Sequence, residues 1–148
     1  MNPKLIICFD NCCNSRLFDD KTKPNIKPEA DAIQRIINNK RRGGYVIFGS
    51  FVGDAEINKI PDDEKRRAAK QKYEESIDDW IKRTAQIMAR ARKLEAYGLR
   101  KMDAAHLAAA EAARANYLLT VDKGFLKVCS RQNFTKVKVI NPIDFERR

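Results

Sequence analysis

Short, almost purely apolar runs alternate along this sequence with segments of helical periodicity, and this alternation limits the possible fold more than any other feature. The first run, residues 4–10, has the composition of a strand that is covered on both faces. Further strands are predicted at residues 45–48, 117–120 and 137–140, with a short one near 80–82. Because strands and helices alternate, we expect a three-layer α/β/α sandwich with a mainly parallel central sheet.

Residues with known preferences for helix ends mark the predicted helices. Pro28 opens the first one, and acids at 62–64 begin another in the orientation that the helix dipole favours. Ser50 and Thr84 are candidate N-caps. Gly98 follows the last apolar position of the helix that Thr84 begins, where a left-handed C-terminal residue is common.

A chain of 148 residues is long enough to bury one hydrophobic core, so residues 1–148 are predicted to form a single domain. With 43% hydrophobic and 34% charged residues, the composition is that of a globular protein rather than a disordered one. The apolar runs are too short to cross a bilayer. Because the first predicted strand starts close to Met1, we expect no secretory signal. The expected compartment is the cytoplasm, with no membrane partner.

Four cysteines raise two other structural hypotheses, disulfide bonds and a zinc site. Cys12 and Cys13 are adjacent, and cytoplasmic thiols normally stay reduced. The sequence has one histidine and no Cys-x-x-Cys spacing, which disfavours zinc. Cys8 is therefore predicted to be a core residue and Cys129 a structural thiol.

The net charge of +10 favours a polyanionic partner such as nucleic acid, although the same charge also serves solubility. The basic residues are scattered, with local density at residues 40–42 and 65–67. No aromatic residues interleave with them as in a single-strand stacking platform. Two interpretations of the charged stretch Asp62–Asp79 stay open: a grip on RNA or a protein partner, and a solvated helix face.

Four acidic residues adjoin the predicted strands. In open α/β sheets, ligands bind beyond the carboxyl ends of the strands, where the strand order reverses. Asp10 and Asp122 lie at or just after such ends. Asp103 lies near the start of one adjoining helix, and Glu56 lies on another. All four are therefore predicted to reach one edge of the sheet.

Carboxylates that meet at one edge repel each other unless a cation or bound protons balance their charge. Their oxygen atoms suit Mg²⁺ or Mn²⁺, which activate water and neutralise charge on a phosphodiester. Thr120 is placed to hold a metal-bound water by a hydrogen bond. Each acid alone also has an ordinary explanation as a turn former, a helix cap or a solvated residue. Their joint placement favours the metal site.

His106 lies one helical turn after Asp103, on an alanine-rich helix predicted over residues 103–115. Proton transfer and packing are both open to it, and packing is favoured because no second base or nucleophile accompanies it. No Gly-x-Ser-x-Gly or phosphate-binding glycine motif is present. The alanines are predicted to form a slim face against the sheet: Ala104, Ala105, Ala108, Ala109, Ala112 and Ala113.

Together, these motifs resemble the PIN domain, the nuclease fold of VapC-type toxins in bacterial and archaeal toxin–antitoxin pairs. The resemblance extends over nearly the whole chain. Its most specific parts are residues 102–108 and 118–122. The other matching elements are Asp10, the segment 14–20, Ser50 leading to Glu56, and Asn141 with Pro142.

The resemblance implies a metal-dependent endoribonuclease that uses Mg²⁺ or Mn²⁺. Carried over by position, the acidic cluster of the family falls on Asp10, Glu56, Asp103 and Asp122, with Thr120 as the supporting hydroxyl. The resemblance further implies an RNA substrate, a homodimer, and a small antitoxin protein whose tail occupies the active-site groove.

Two positions depart from the family pattern. Cys12 stands where many members carry an asparagine, and Gly124 stands where many carry a further acid. The missing acid weakens the expectation of a second metal ion.

Two other functions stay open. One is a PIN-like RNA-binding or scaffold protein with weak or no catalysis. The other, a receiver-like phosphoacceptor module, ranks last because the 45–48 strand ends in Gly49 and Ser50 rather than in an aspartate.

Overall fold

A computed structural model describes residues 4–10, 24 and 26–148, which contain five strands and eight helices. The strands are β1 (Leu5–Phe9), β2 (Tyr45–Ser50), β3 (Asp79–Ile81), β4 (Tyr117–Leu119) and β5 (Lys138–Ile140). The helices are α1 (Ile26–Asn38), α2 (Lys40–Gly43), α3 (Phe51–Ile57), α4 (Asp63–Ser76), α5 (Ala85–Glu95), α6 (Lys101–Ala112), α7 (Lys123–Arg131) and α8 (Pro142–Glu146). None of these helices is long and apolar enough to span a membrane. Cys12, Cys13 and the segment 14–20 lie outside the described residues.

The five strands form one sheet in the order β3-β2-β1-β4-β5, and every neighbouring pair is parallel. β1 is central, because Ile7 lies opposite Ile47 of β2 on one side and Tyr117 of β4 on the other. The predicted α/β/α sandwich with a parallel central sheet is therefore confirmed. The short strand expected near residues 80–82 is also confirmed, one residue earlier.

Different helices cover the two faces of the sheet, and β1 contributes side chains to both. Ile7 and Phe9 pack with Ile33 of α1 and Phe145 of α8. Cys8 belongs to the cluster on the other face, which α5, α6 and α7 complete. Such alternation follows from the two-residue repeat of a strand. It explains why the first run is apolar at every position.

The two described cysteines, Cys8 and Cys129, are free thiols. Cys8 is 5% exposed, which confirms the predicted core position. Burial raises the pKa of Cys8 to about 12. Burial and, to a smaller extent, the charge of Asp103 raise the pKa of Cys129 to about 11. Both side chains therefore stay protonated at neutral pH and behave as packing groups.

Side-chain caps begin two of the helices that adjoin the sheet. The Ser50 hydroxyl accepts a hydrogen bond from the Gly53 amide at 3.3 Å, and the Thr84 hydroxyl accepts one from the Ile87 amide at 3.1 Å. Both predicted N-caps are confirmed. Gly98 follows α5 with a φ of +101°, in the left-handed region that favours glycine.

Helix α6 differs from the predicted span of 103–115 at both ends. It begins earlier, at Lys101, directly after the extended residue Arg100. It ends earlier, at Ala112, because Arg114 adopts a left-handed φ of +57° and the helix cannot continue through it. All residues of Ala104–Ala110 are buried, since α6 packs against both α5 and α3. The predicted alanine face is confirmed over this part, whereas Ala112 is exposed.

Helix α4 carries most of the charged stretch Asp62–Asp79. Asp62 caps it by accepting a hydrogen bond from the Lys65 amide at 2.9 Å. The buried residues of α4 are Ala69, Tyr73 and Ser76. Its charged residues lie outside the core, as both interpretations of this stretch require, so both stay predictions.

Candidate active site

Two of the four predicted acids follow strands at the place where the strand order of the sheet reverses. From β1, the sheet grows through β2 and β3 on one side, and then through β4 and β5 on the other. The carboxyl ends of β1 and β4 are therefore neighbours at the switch point, where open α/β sheets bind ligands. Asp10 directly follows β1, whereas Thr120 and Asp122 follow β4.

Asp10 is buried, with 1% of its surface exposed, and is tied to the end of β4. Its amide donates to the Leu119 carbonyl at 3.1 Å. Its carboxylate accepts a hydrogen bond from the Thr120 hydroxyl at 2.5 Å. The Thr120 oxygen in turn accepts one from the Asp122 amide at 3.0 Å. Thr120 thus fixes the two acid-bearing strand ends relative to each other.

Asp122 caps helix α7 and also lies just beyond the carboxyl end of β4. One carboxylate oxygen accepts a hydrogen bond from the Phe125 amide at 3.1 Å and caps α7. The other lies 3.7 Å from Nη1 of Arg100. The ordinary explanation of this residue as a cap is therefore correct. The same hydrogen bond also holds the carboxylate in place at the switch point.

Asp103 lies in the first turn of α6 and is half-buried, and it is not the N-cap of that helix. Its pKa is raised to about 6, first by burial and then by the negative charges of Asp122 and Asp10. Electrostatic interactions with His106 and Arg100 offset part of this shift. The negative charges of Asp122 and Asp10 therefore act on Asp103 across the sheet edge.

Glu56 faces a different partner. Its Oε1 forms a hydrogen bond with Nε2 of His106, whose side chain is 3% exposed. His106 is thus a buried and satisfied residue, in agreement with the packing interpretation. Its partner, however, is one of the predicted site residues, and the sequence did not indicate this pairing.

The acidic site has the ligand chemistry of a metal site, although its side chains do not converge on one point in the described residues. Within the described ranges, no three Asp, Glu, His or Cys side chains converge closely enough to hold one ion. The donor set nevertheless fits a hard cation, because carboxylate oxygens are the ligands that Mg²⁺ and Mn²⁺ prefer. The raised pKa of Asp103 also reports negative charge that a cation would neutralise. In chemistry and charge, therefore, the residues fit the predicted ion.

Arg100 borders the candidate site, and the sequence did not indicate it. Its side chain is 80% exposed, and its guanidinium faces Asp122. A Cβ atom on Gly124 would lie 3.2 Å from Oδ1 of Asp122 and 4.0 Å from Nη2 of Arg100. A positive charge therefore borders the position where many PIN domains carry a further acid. Nothing in the sequence distinguishes Arg100 from the other basic residues. Cys12, the second departure, lies outside the described residues.

No protein-family model and no curated protein matches this sequence. Among solved structures, it resembles VapC20 of Mycobacterium tuberculosis, a sarcin-ricin loop cleaving toxin, with a TM-score of 0.61, 15% identity, and coverage of 89% of this chain and 98% of that chain. It also resembles VapBC2 of Rickettsia felis bound to a promoter DNA fragment, with a TM-score of 0.59, 14% identity, and coverage of 93% and 98%. VapBC-1 of nontypeable Haemophilus influenzae gives a TM-score of 0.57, 16% identity, and coverage of 93% and 98%. At these identities the likeness is one of fold.

Proposed function

We propose that this chain, which has the VapC-type PIN-domain fold, is a metal-dependent endoribonuclease that hydrolyses RNA phosphodiesters. The observation that carries the proposal is the electrostatic coupling of three aspartates at the switch point, where Asp122 and Asp10 help to raise the pKa of Asp103 to about 6. A divalent cation balances such charge and also binds phosphate oxygens. The toxin VapC20, which has this fold, cleaves the sarcin-ricin loop.

The proposal gives each site residue a role. Asp10, Asp103 and Asp122 would bind Mg²⁺ or Mn²⁺, and Glu56 would join them by exchanging its partner His106. The ion, when bound, supplies an activated water and neutralises charge that develops on the phosphodiester. Thr120 holds Asp10 and the Asp122 backbone in register through its hydroxyl.

Cleavage assays on Asp122→Asn test this assignment. The purified protein is expected to cleave RNA with Mg²⁺ or Mn²⁺ and to lose this activity in EDTA. Asp122→Asn is expected to lower cleavage by about 100-fold or more, because it removes a charged metal ligand. The α7 cap survives, since asparagine accepts the same amide hydrogen bond.

Asp62→Asn is the matched control. Asp62 caps α4 as Asp122 caps α7, but it takes no part in the contacts of the acidic site. This variant is expected to cleave RNA normally. Cleavage by a folded Asp122→Asn protein at the rate of the parent would contradict the metal-site assignment.

We further propose that the ribonuclease is the cytoplasmic toxin of a toxin–antitoxin pair and that it forms a homodimer. Two of the similar structures are VapBC structures. A groove of about 560 Å³ between α3, α5 and α6 supports a protein partner. An apolar floor with a basic rim suits an acidic peptide that carries hydrophobic side chains. The floor includes Phe51, Met88 and Met102. The rim carries three basic residues and one acid: Arg83, Arg92, Lys101 and Glu95.

Induced expression is expected to arrest growth, and co-expression of the cognate antitoxin is expected to restore it. Arg92→Glu at the groove rim should weaken the complex with the antitoxin in a pull-down assay while leaving RNA cleavage unchanged.

Light scattering tests the homodimer and should give twice the mass of the 17.0 kDa chain. A monomeric mass would contradict the homodimer. Growth that continues while the active protein is expressed would contradict the toxin assignment.

A second candidate function is RNA binding without efficient catalysis. Two observations favour it: Glu56 is bound to His106, and Gly124 with Arg100 replaces a further acid. RNA binding that persists while no metal restores cleavage would support this function over the ribonuclease.

A further inference from the structure

An aromatic stack lies at the surface between the α5–α6 loop and the α7–β5 loop. The ring centroids of Tyr97 and Phe134 are 4.5 Å apart, and the ring planes differ by 7°. Tyr97 is 42% exposed, whereas Phe134 is half-buried beneath it. Among the described residues, Tyr97 and Trp80 are the large hydrophobic side chains that are exposed. The stack therefore presents an open aromatic ring to solvent.

Hydrogen bonds on both sides hold this stack in place. Gln132 donates to the Tyr97 carbonyl at 2.9 Å, and Arg90 donates to the Phe134 carbonyl at 3.0 Å. Arg90 is itself fixed by two hydrogen bonds to Glu111, at 2.7 and 3.2 Å. Because the rings are already ordered, a flat ligand that lands on Tyr97 loses little further conformational freedom.

A basic recess of about 1000 Å³ lies beside Phe134, at the amino ends of β4 and β5. Its lining includes Arg90, Arg114, Lys136 and the acid Glu111. Arg90 and Glu111 neutralise each other through their ion pair. The side chains of Arg114 and Lys136 are exposed and form no ion pair or hydrogen bond within the described part of the chain. The recess thus carries two uncompensated positive charges.

The loop of residues 96–100 connects the stack to the acidic site. Tyr97 stands near one end of it, and Arg100 stands at the other, with its guanidinium 3.7 Å from the Asp122 carboxylate. Leu99, between them, is 6% exposed and anchors the loop in the core. This loop therefore places the open ring of Tyr97 close to Arg100, which in turn contacts the acidic site.

We propose that this surface, from Arg100 over Tyr97 and Phe134 to Arg114 and Lys136, is a binding track for single-stranded RNA; that this RNA is the substrate rests on the proposed ribonuclease function. An unpaired base stacks on the open face of Tyr97, as bases of single strands do on exposed aromatic rings. The phosphates on either side contact Arg100 and the basic recess. An open ring with Arg100 on one side and the two uncompensated charges of the recess on the other suits nucleic acid better than a peptide. A duplex does not fit, because its bases are already stacked on each other.

RNA binding by single variants tests the track. The assay measures fluorescence anisotropy of a labelled single-stranded oligoribonucleotide in EDTA, with Asp122→Asn as the parent protein so that no cleavage occurs. Tyr97→Ala is expected to weaken binding about tenfold, the usual loss for one stacked base. Tyr97→Phe keeps the ring and should bind as the parent does. Lys136→Ala is expected to weaken binding about threefold through one lost phosphate contact.

Trp80→Ala is the matched control, because Trp80 is 37% exposed but lies on β3, away from the track. It is expected to bind RNA as the parent does. An affinity loss in Tyr97→Ala no larger than in Trp80→Ala would overturn the track, as would equal competition by duplex RNA. Normal RNA binding by Tyr97→Ala combined with weakened antitoxin binding would overturn it in favour of a protein site.

The two proposals fail in different ways. In the cleaving protein, Tyr97→Ala is expected to raise KM for a long RNA about tenfold without lowering kcat, since stacking acts on binding rather than on the reacting atoms. If the unaltered protein cleaves no RNA but the variants bind RNA as expected, the ribonuclease proposal is wrong and the binding track is supported. If cleavage is metal-dependent but Tyr97→Ala changes neither RNA binding nor KM, the binding-track proposal is wrong and the ribonuclease proposal is supported.

Discussion

At the scale of single residues, Asp103 shows what the acidic site costs the fold in the absence of a cation. Its pKa is about 6 in the folded protein, against an ordinary value of 3.8 for an aspartate. The folded state therefore holds the proton more tightly than the unfolded chain. Below about pH 4 both states are protonated and nothing is lost. Stability decreases as the pH rises from about 4 to 6, and above this window the full penalty remains.

Asp103→Asn is therefore expected to stabilise the metal-free protein by about 1 kcal/mol at pH 7 and by much less at pH 4, because a half-buried charge is partly screened by solvent. Urea unfolding in EDTA at both pH values measures the difference. Asp144→Asn, an exposed aspartate in the first turn of α8, is the control and should give little change at either pH. The same stability change for Asp103→Asn at both pH values would contradict the electrostatic coupling.

At the scale of the elements, Tyr73 joins α4 to the junction of β2 and α3. Its hydroxyl oxygen accepts a hydrogen bond from the buried Ser50 amide at 2.7 Å. Tyr73→Phe leaves this amide without its partner, so we expect the free energy of unfolding to decrease by about 1–2 kcal/mol. Urea unfolding is the measurement, with an unchanged m-value. Tyr97→Phe serves as the control, because the Tyr97 side chain is exposed, and it should unfold as the parent does. Equal stability of both variants would mean that the Ser50 amide finds another acceptor.

Sequence signals predicted features that depend on near neighbours and missed those that depend on packing. Ser50 and Thr84 were predictable as caps because each acts on an amide three residues away. The bond between Glu56 and His106 joins residues that are 50 positions apart, so only the packing of α3 on α6 creates it. The early end of α6 depends on the left-handed Arg114, and arginine has no special preference for that conformation.

At the scale of the whole molecule, the parallel sheet and its acidic edge were predictable because parallel strands place their carboxyl ends on the same side. The strand order was not predicted, and it is the order that makes β1 and β4 neighbours at the switch point. The stacking surface was not expected, since no aromatic residue interleaves with the basic runs in the sequence. The fold alone brings Phe134 onto Tyr97 beside the basic recess.

Because the chain carries a net charge of +10, we expect its affinity for RNA to depend strongly on salt concentration. If single-stranded RNA contacts three to five basic side chains, counterion release gives a slope of about −2 to −3.5 for log affinity against log salt concentration. Such a slope corresponds to a loss of roughly 15- to 130-fold in affinity between 50 and 200 mM salt. Lys136→Ala, in the Asp122→Asn protein, is expected to make this slope shallower by about 0.7. Lys65→Ala, on the solvated α4, should leave it unchanged. The slope is measured by anisotropy titrations in EDTA at several salt concentrations. A slope that responds to Lys65→Ala but not to Lys136→Ala would place the phosphate contacts on α4 instead of in the recess.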